Sequence, residues 1–329
     1  MRVYEDLAAI DDAMRGAVMT VGNFDGVHLG HQRILRTAHA LAQVSSAKVL
    51  AMTFEPHPLA ILRPDRAPPR LTPWSEKLRQ LARGGADAVV CLKVDRGILS
   101  LSAEDFVRQV LVRQIHPSYI VEGPDFGFGR DRQGDIATLS ALSPKGGFQV
   151  HVVEPYRLTL DEREHVIVSS TVIRECVSEG RVEDAAACLG RSYALLGRVV
   201  HGEAQGRKLG FPTINLDVAQ GQLLPGEGVY AGVAELCPAD EDGGRTELTG
   251  GPPVVRCLAA ISVGHRPTLG GRTLVVEAFL LDHRGDWYGD EVRLGLVARI
   301  RDQRKFDNQQ MLVVQITKDV ETVRRLVHL

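Results

Sequence analysis

The run Val18-Met19-Thr20-Val21-Gly22-Asn23-Phe24-Asp25-Gly26-Val27-His28-Leu29-Gly30-His31 constrains this chain more than any other stretch. Val18 to Val21 suits a buried strand, and Gly22 to Gly26 interrupt it with turn formers. From Gln32 the apolar residues Ile34, Leu35, Ala38, Leu41 and Ala42 recur at helical intervals, which predicts a helix whose N-terminus lies at His28 to His31. Unpaired N–H groups and the positive end of that helix favour an anion, and two imidazoles add hydrogen bonds or, if protonated, charge. Two histidines three apart also occur as a simple surface cap. A metal site is the weaker alternative, because no Glu follows in an H-E-x-x-H arrangement and no third ligand stands nearby.

Further apolar runs alternate with helical patterns. Strands are predicted at Lys48 to Phe54, Ala88 to Leu92, Tyr119 to Glu122 and Gln149 to Val153, with helices at Ser75 to Arg83 and from Ser102 to about Gln114. Such alternation implies a mostly parallel sheet covered on both faces, with ligands at the carboxyl ends of its strands. The loops that begin at Gly22, Glu55 and Gly123 all follow strands directly. Two prolines stop the second strand in Glu55-Pro56-His57-Pro58. Val168-Ser169-Ser170-Thr171-Val172-Ile173-Arg174 reads as hydroxyl caps before a helix, with Arg174 one turn inside and able to meet an oxyanion. A helix at Val182 to Leu189 closes this half.

From Tyr193 the pattern becomes one of short strands separated by Gly and Pro: Leu195 to Val200, Gly228 to Leu236, Val255 to Ser262, Leu274 to Leu281 and Val292 to Ile300. That is the spacing of an antiparallel barrel or sandwich. Cys237 to Pro253 reads as an exposed loop, and a final helix spans Asn308 to Leu326 with Met311, Leu312, Val314 and Ile316 on its apolar side. In Gly202-Glu203-Ala204-Gln205-Gly206-Arg207-Lys208-Leu209-Gly210-Phe211-Pro212-Thr213-Ile214-Asn215 the glycines and basic residues are suited to cradling phosphate. Thr213 and Asn215 share one face of an extended strand, so both oxygens can meet one hard cation. Glu277 lies in an apolar strand, where desolvation raises a carboxyl pKa and equips it to accept a hydroxyl proton.

With 329 residues there is room for two domains, each with its own core. A net charge of -2 argues against a general nucleic-acid surface. No run approaches the roughly 20 apolar residues that cross a bilayer, and Met1 to Met14 resembles no targeting peptide. Five cysteines with no C-x-x-C pair suit a reducing cytoplasm. The composition leaves a homo-oligomer open.

Gly22 to His31 resembles the H-x-G-H signature of nucleotidylyltransferases and, in its longer form, the bacterial bifunctional riboflavin kinase/FAD synthetases. The resemblance implies an α/β plus all-β chain: a Rossmann-like nucleotidylyltransferase domain over 1–186 and a riboflavin kinase barrel with a terminal helix over 187–329. It implies phosphorylation of riboflavin to FMN by ATP, then adenylylation of FMN to FAD by a second ATP with loss of pyrophosphate. For the first domain it implies that Gly22, Asn23, Phe24, Asp25, Gly26, His28, His31, Asp125, Ser169, Ser170, Thr171 and Arg174 hold ATP and its phosphates, with His28 and His31 also catalytic. Phe126, Phe128 and Arg301 are the flavin candidates. For the second domain, Gly206, Arg207, Lys208 and Gly210 would hold phosphate, Thr213 and Asn215 the Mg²⁺ of ATP, and Glu277 would be the catalytic base.

The chain departs from the family pattern at Gly127, where a basic residue is expected and whose role would pass to Arg130 or Arg132, and at Phe279, Asn308 and Gln310. Three rivals stay open at this point: a class I aminoacyl-tRNA synthetase, a nucleotidylyltransferase with another acceptor, and a non-catalytic flavin-binding protein.

Overall fold

The computed structural model describes residues 1–160, 163–202, 205–237, 255–268, 271–283 and 285–329. Contacts divide the chain into two compact units, one formed by Met1–Pro68, Lys77–Thr159 and Arg163–Val168, the other by Pro69–Glu76, Leu160–Glu162 and Ser169–Leu329.

The first unit begins with β1 (Arg2–Tyr4), β2 (Val18–Val21), α1 (Leu29–Val44), β3 (Val49–Glu55), α2 (Pro58–Leu62), α3 (Trp74–Arg83) and β4 (Ala88–Lys93). It continues through α4 (Arg96–Leu99), α5 (Ala103–Phe106), β5 (Tyr119–Glu122), α6 (Ile136–Gly146) and β6 (Gln149–Val152) to a two-stranded ribbon of β7 (Arg157–Leu160) and β8 (Arg163–Ile167). The sheet order is β1-β4-β3-β2-β5-β6, every pairing parallel. Alternate side chains enter cores on opposite faces: Met19 and Val21 join Leu50, Met52 and Leu111, while Val18 and Val49 pack with Ala38 and Ala42 of α1. This double burial explains why β2 reads as an unbroken apolar run. The chain moves outward in opposite directions from β2 and β5, so the crevice at their carboxyl ends is a topological switch point.

Glu122 closes that crevice from below. Buried at the end of β5, it accepts a hydrogen bond from the Val21 N–H at 2.5 Å and faces the Thr20 hydroxyl at 3.4 Å. Burial pushes its pKa well up, opposed by those two donors.

The helix expected from Ser102 to Gln114 is α5 followed by a wider π-type turn over Val107–Val112. The sequence reading passed over β1, α6 and the ribbon. β1 is only three residues long and α6 carries Pro144, so neither offers a clear period.

The second unit starts with α7 (Ser170–Ser178) and α8 (Val182–Leu189) and continues into β9 (Tyr193–Val200), α9 (Gln205–Lys208), β10 (Thr213–Val218), β11 (Gly228–Cys237), β12 (Val255–Thr268), β13 (Gly271–Leu280), β14 (Glu291–Arg301) and α10 (Gln309–Leu326). Its six strands close an antiparallel barrel in the order β10-β13-β12-β11-β14-β9. A Cβ at Gly232 would stand 2.3 Å from the Gly295 carbonyl oxygen, so only glycine lets β11 and β14 approach there. The expected loop over Cys237 to Pro253 lies, from residue 238 on, outside the described residues.

Asn308 caps α10 by accepting from the Met311 N–H at 2.9 Å, which an amide oxygen does as well as a hydroxyl. The apolar side of α10 is only partly the expected one, with Leu312 and Ile316 half-buried. Met311 and Val314 are exposed, and Val323 packs with Ala231, Leu281 and Val327. A short strap from far upstream also belongs to this unit: the Arg70 N–H donates to the Gly221 carbonyl and the Leu223 N–H to the Arg70 carbonyl, both at 2.8 Å. No local pattern in the sequence signals that graft.

Because Glu122 holds a raised pKa in the fold, the folded state binds a proton that the unfolded chain releases above its ordinary value of about 4.5. Stability of this unit therefore falls as pH rises above that value. Glu122→Gln keeps the shape and should flatten the dependence in pH-resolved thermal melts, while Glu122→Ala should cost about 1–3 kcal/mol by leaving the Val21 N–H unpaired.

Candidate active sites

The turn between β2 and α1 is built under strain. Phe24 and Val27 adopt φ of 47° and 39°, left-handed values that a β-branched residue rarely takes, and both side chains are fully buried. Gly26, at φ 84°, takes the same region at no cost. The Gly22 N–H donates to the Met52 carbonyl at 3.0 Å, and the Thr53 hydroxyl to the Asn23 carbonyl at 3.2 Å, so β3 holds the turn in place. Asp25 is buried within it.

His28 is the N-cap of α1, its Nδ1 accepting from the His31 N–H at 3.4 Å. The two imidazoles stack with centroids 3.7 Å apart, and Phe24 meets His31 edge-on at 5.1 Å. A Cβ at Gly30 would press on the His28 ring at 3.1 Å, which accounts for the glycine between them. His31 is half-buried, yet its Nδ1 is sealed from solvent and has no hydrogen-bond partner. Burial first, and the charge of Lys77 second, lower its pKa to about 3. His31 is therefore a neutral ring, so of the two options left by the sequence it supplies hydrogen bonds rather than charge. His57 joins the site through the Asn23 amide, 3.1 Å from its Nε2.

The loop after β5 runs beside this turn, since β2 and β5 are paired. Phe128 is buried in the core between Phe106 and Phe126, with centroids at 5.9 and 5.3 Å, while Phe126 is half-buried. Asp125 is exposed, and its carbonyl accepts from Arg132 Nη2 at 3.1 Å. In the other unit, Ser169 caps α7 through the Val172 N–H at 3.3 Å, Ser170 and Thr171 form its first turn, and Arg174 Nε donates to the Pro69 carbonyl at 2.8 Å.

On the barrel, β10 and β13 pair so that Thr213 faces Phe279 and Asn215 faces Glu277. Ile214, Leu216, Val276 and Ala278 are buried between these positions, so Thr213, Asn215 and Glu277 share the outer face of the wall. The glycine loop drapes over them. A Cβ at Gly202 would stand 2.2 Å from Asn215 Nδ2, and one at Gly206 3.3 Å from Thr213 Oγ1. Arg207 and Gly210 border, with Thr213, His283, Trp287 and Tyr288, a cavity of about 440 Å³; Lys208 ends α9. Ser262 flanks Glu277 on the other neighbour, β12, and its hydroxyl accepts from Gln303 Nε2 at 2.9 Å. Arg301 pairs with the buried Asp319 at 2.7 Å and lies 5.9 Å from the Phe306 ring.

Comparison with known proteins agrees with both halves. The FAD synthetase family model matches residues 10–172 and the riboflavin kinase model residues 189–327. The bifunctional riboflavin kinase/FMN adenylyltransferase of Escherichia coli K12 is 35% identical over 94% of this chain and 92% of its own length. That of Buchnera aphidicola from Acyrthosiphon pisum is 31% identical over 99% and 98%. The chain belongs to the bifunctional riboflavin kinase/FMN adenylyltransferase family. A crystal structure from Streptococcus pneumoniae described as a macrolide-efflux protein is also similar, with a TM-score of 0.83, 30% identity and 98% coverage of each chain. Among the described residues of the present chain no helix is long and apolar enough to cross a membrane.

Membership of this family removes the synthetase and the single-activity rivals, because each leaves one matched half unexplained. The reading from sequence missed His57, Lys77, Trp287 and Tyr288. The adjacent Trp287 and Tyr288 were findable: in a chain with only 5% aromatics, two together in a Gly/Asp-rich loop are conspicuous. Lys77 carried no such signal, because only folding brings it near His31.

With its pKa at about 3, His31 should give ring proton resonances that do not titrate between about pH 5 and 8 in NMR of the free enzyme. A midpoint near 6.5 would contradict the sealed environment.

Proposed function

We propose that the two activities are divided at about residue 186, with the H-x-G-H crevice adenylylating FMN and the barrel wall phosphorylating riboflavin. The chain is an enzyme with both activities, as its two family domains require. What carries the assignment of the kinase site is the β10–β13 register, which sets Asn215 directly against Glu277 under a loop of glycines.

In the kinase reaction Glu277 accepts the proton of the ribityl 5′-hydroxyl as that oxygen attacks the γ-phosphorus of ATP and ADP leaves. The cavity beside Arg207, Trp287 and Tyr288 is of a size for the nucleotide. Thr213 and Asn215 present oxygens to the Gly202 and Gly206 cradle, a donor set that fits Mg²⁺. A bound magnesium ion neutralises phosphate charge, the main requirement of phosphoryl transfer. Gly206, Arg207, Lys208 and Gly210 take the phosphate role that the resemblance implies, and Arg301, paired with Asp319, is the flavin candidate of this half.

In the adenylylation the FMN phosphate attacks the α-phosphorus of a second ATP and pyrophosphate leaves. That nucleophile is ionised at neutral pH and needs no base. His28 and the neutral His31 donate hydrogen bonds to the phosphates, and Lys77 adds positive potential. Gly22 to Gly26 approach the nucleotide by backbone, with Asp125 as a further contact, and Ser169, Ser170, Thr171 and Arg174 keep the phosphate role that the family resemblance implies. Phe126, with the core-anchored Phe128 behind it, offers a face to the flavin. Cys91, Cys176, Cys188 and Cys257 are thiols rather than disulfides among the described residues, which supports action in a reducing cytoplasm.

Glu277→Gln should lower FMN formation by on the order of 10² to 10⁴ and spare FMN-to-FAD conversion, whereas His31→Ala should do the opposite. Chromatography of riboflavin with Mg·ATP and each variant reads both steps, and equal loss of both in either variant would reject the division. EDTA should abolish FMN formation; persistence would remove the role given to Thr213 and Asn215.

A further inference from the structure

The loop that follows β5 is pinned at both ends. Phe128 is buried in the core, the Arg130 N–H donates to the Leu101 carbonyl at 2.7 Å, and a Cβ at Gly129 would stand 2.9 Å from Ala103. Between these anchors and Gly134 the backbone takes a costly path: Asp131 and Arg132, neither of them glycine, have φ of 53° and 56°. The result of that path is specific. It folds Arg132 back over Gly127, where a Cβ would stand 2.8 Å from Nε and Nη2 and 2.9 Å from Cζ. The guanidinium occupies the space that any other residue at 127 would fill.

Its charge is not spent on a carboxylate. Arg108 is neutralised by Asp105 and Arg301 by Asp319. Arg132 has no carboxylate partner among the described residues, and its side chain makes one hydrogen bond, to the Asp125 carbonyl at 3.1 Å. A guanidinium has five N–H donors in a rigid fork, so most remain for a ligand. They sit on the loop that leaves β5 next to the β2 turn carrying the histidine pair.

We propose that Arg132 is the arginine that grips a substrate phosphate in the adenylylation site, and that Gly127 is glycine to admit its side chain. A planar fork matches phosphate oxygens in pairs, which a lysine does not reproduce. The proposal rests on the reading of the H-x-G-H crevice as the adenylylation site.

The test is steady-state FMN-to-FAD kinetics of the full chain, with riboflavin phosphorylation as the measure of intact folding. Arg132→Ala should raise a KM by about tenfold or more. A rise for FMN identifies the flavin phosphate, and a rise for ATP identifies the triphosphate. Arg132→Lys should recover only part of the loss. Gly127→Ala should raise the same KM, because its Cβ displaces the guanidinium without removing the charge; this variant carries the test if Arg132→Ala does not fold. The double variant Gly127→Arg/Arg132→Ala should recover part of the affinity by supplying the cation from the other position.

Unchanged KM values in Arg132→Ala, a fall in kcat alone, or a larger effect from Arg130→Ala would each overturn the proposal. His31→Ala separates the two levels. Its loss of FAD synthesis alongside a normal Arg132→Ala sinks this inference alone, and its retention of FAD synthesis sinks the site as well.

Discussion

The parallel half of this protein depends on a single strained turn. Between β2 and α1 the chain reverses within seven residues, and it does so with Phe24 and Val27 in left-handed conformations that neither favours. Burial of both side chains and hydrogen bonds to Met52 and Thr53 of β3 outweigh that cost. The return is geometric. His28 arrives at the helix N-cap with its ring stacked on His31, and the pair stands where the N–H groups of α1 are open to an anion. Glu122 secures the neighbouring strand end, so the turn and the loop after β5 keep a fixed spacing.

The barrel half rests on a different constraint, register. A slip of one residue between β10 and β13 would send Thr213 and Asn215 into the core and Ile214 to the outside. Burial of Ile214, Leu216, Val276 and Ala278 forbids that slip. The polar face is therefore specified by the apolar one. Glycines at 202 and 206 then allow the preceding loop to lie against the Asn215 and Thr213 side chains. Both halves thus use missing side chains to bring backbone close to the places proposed for phosphate, one at a helix start and the other over a strand.

The departures from the family pattern acquire physical content in this setting. Asn308 caps α10 as a hydroxyl would. Phe279 packs under the apolar side of α10 and edge-on to Phe211, at 5.4 Å, so it serves the barrel wall. Gly127 makes room for Arg132. For Gln310, exposed in the first turn of α10, nothing in the structure explains the choice.

Periodicity, turn residues and motif spacing by themselves determined a parallel α/β half followed by an antiparallel β half, most of the strands in their order along the chain, and the stretches from which both sites are proposed. These are local properties: an apolar run, a glycine turn and a capped helix are each written within about a dozen residues. Only the tertiary structure decided the sealed, neutral state of His31, the approach of Lys77, the return of Arg132 over Gly127 and the grafting of Arg70 onto the strand end at Gly221. Each depends on groups brought together from separate segments or on how buried they become. Even the outward turn of Met311 and Val314 on α10 follows this rule, since a helix with apolar residues on more than one side presents to the barrel whichever side the barrel fits.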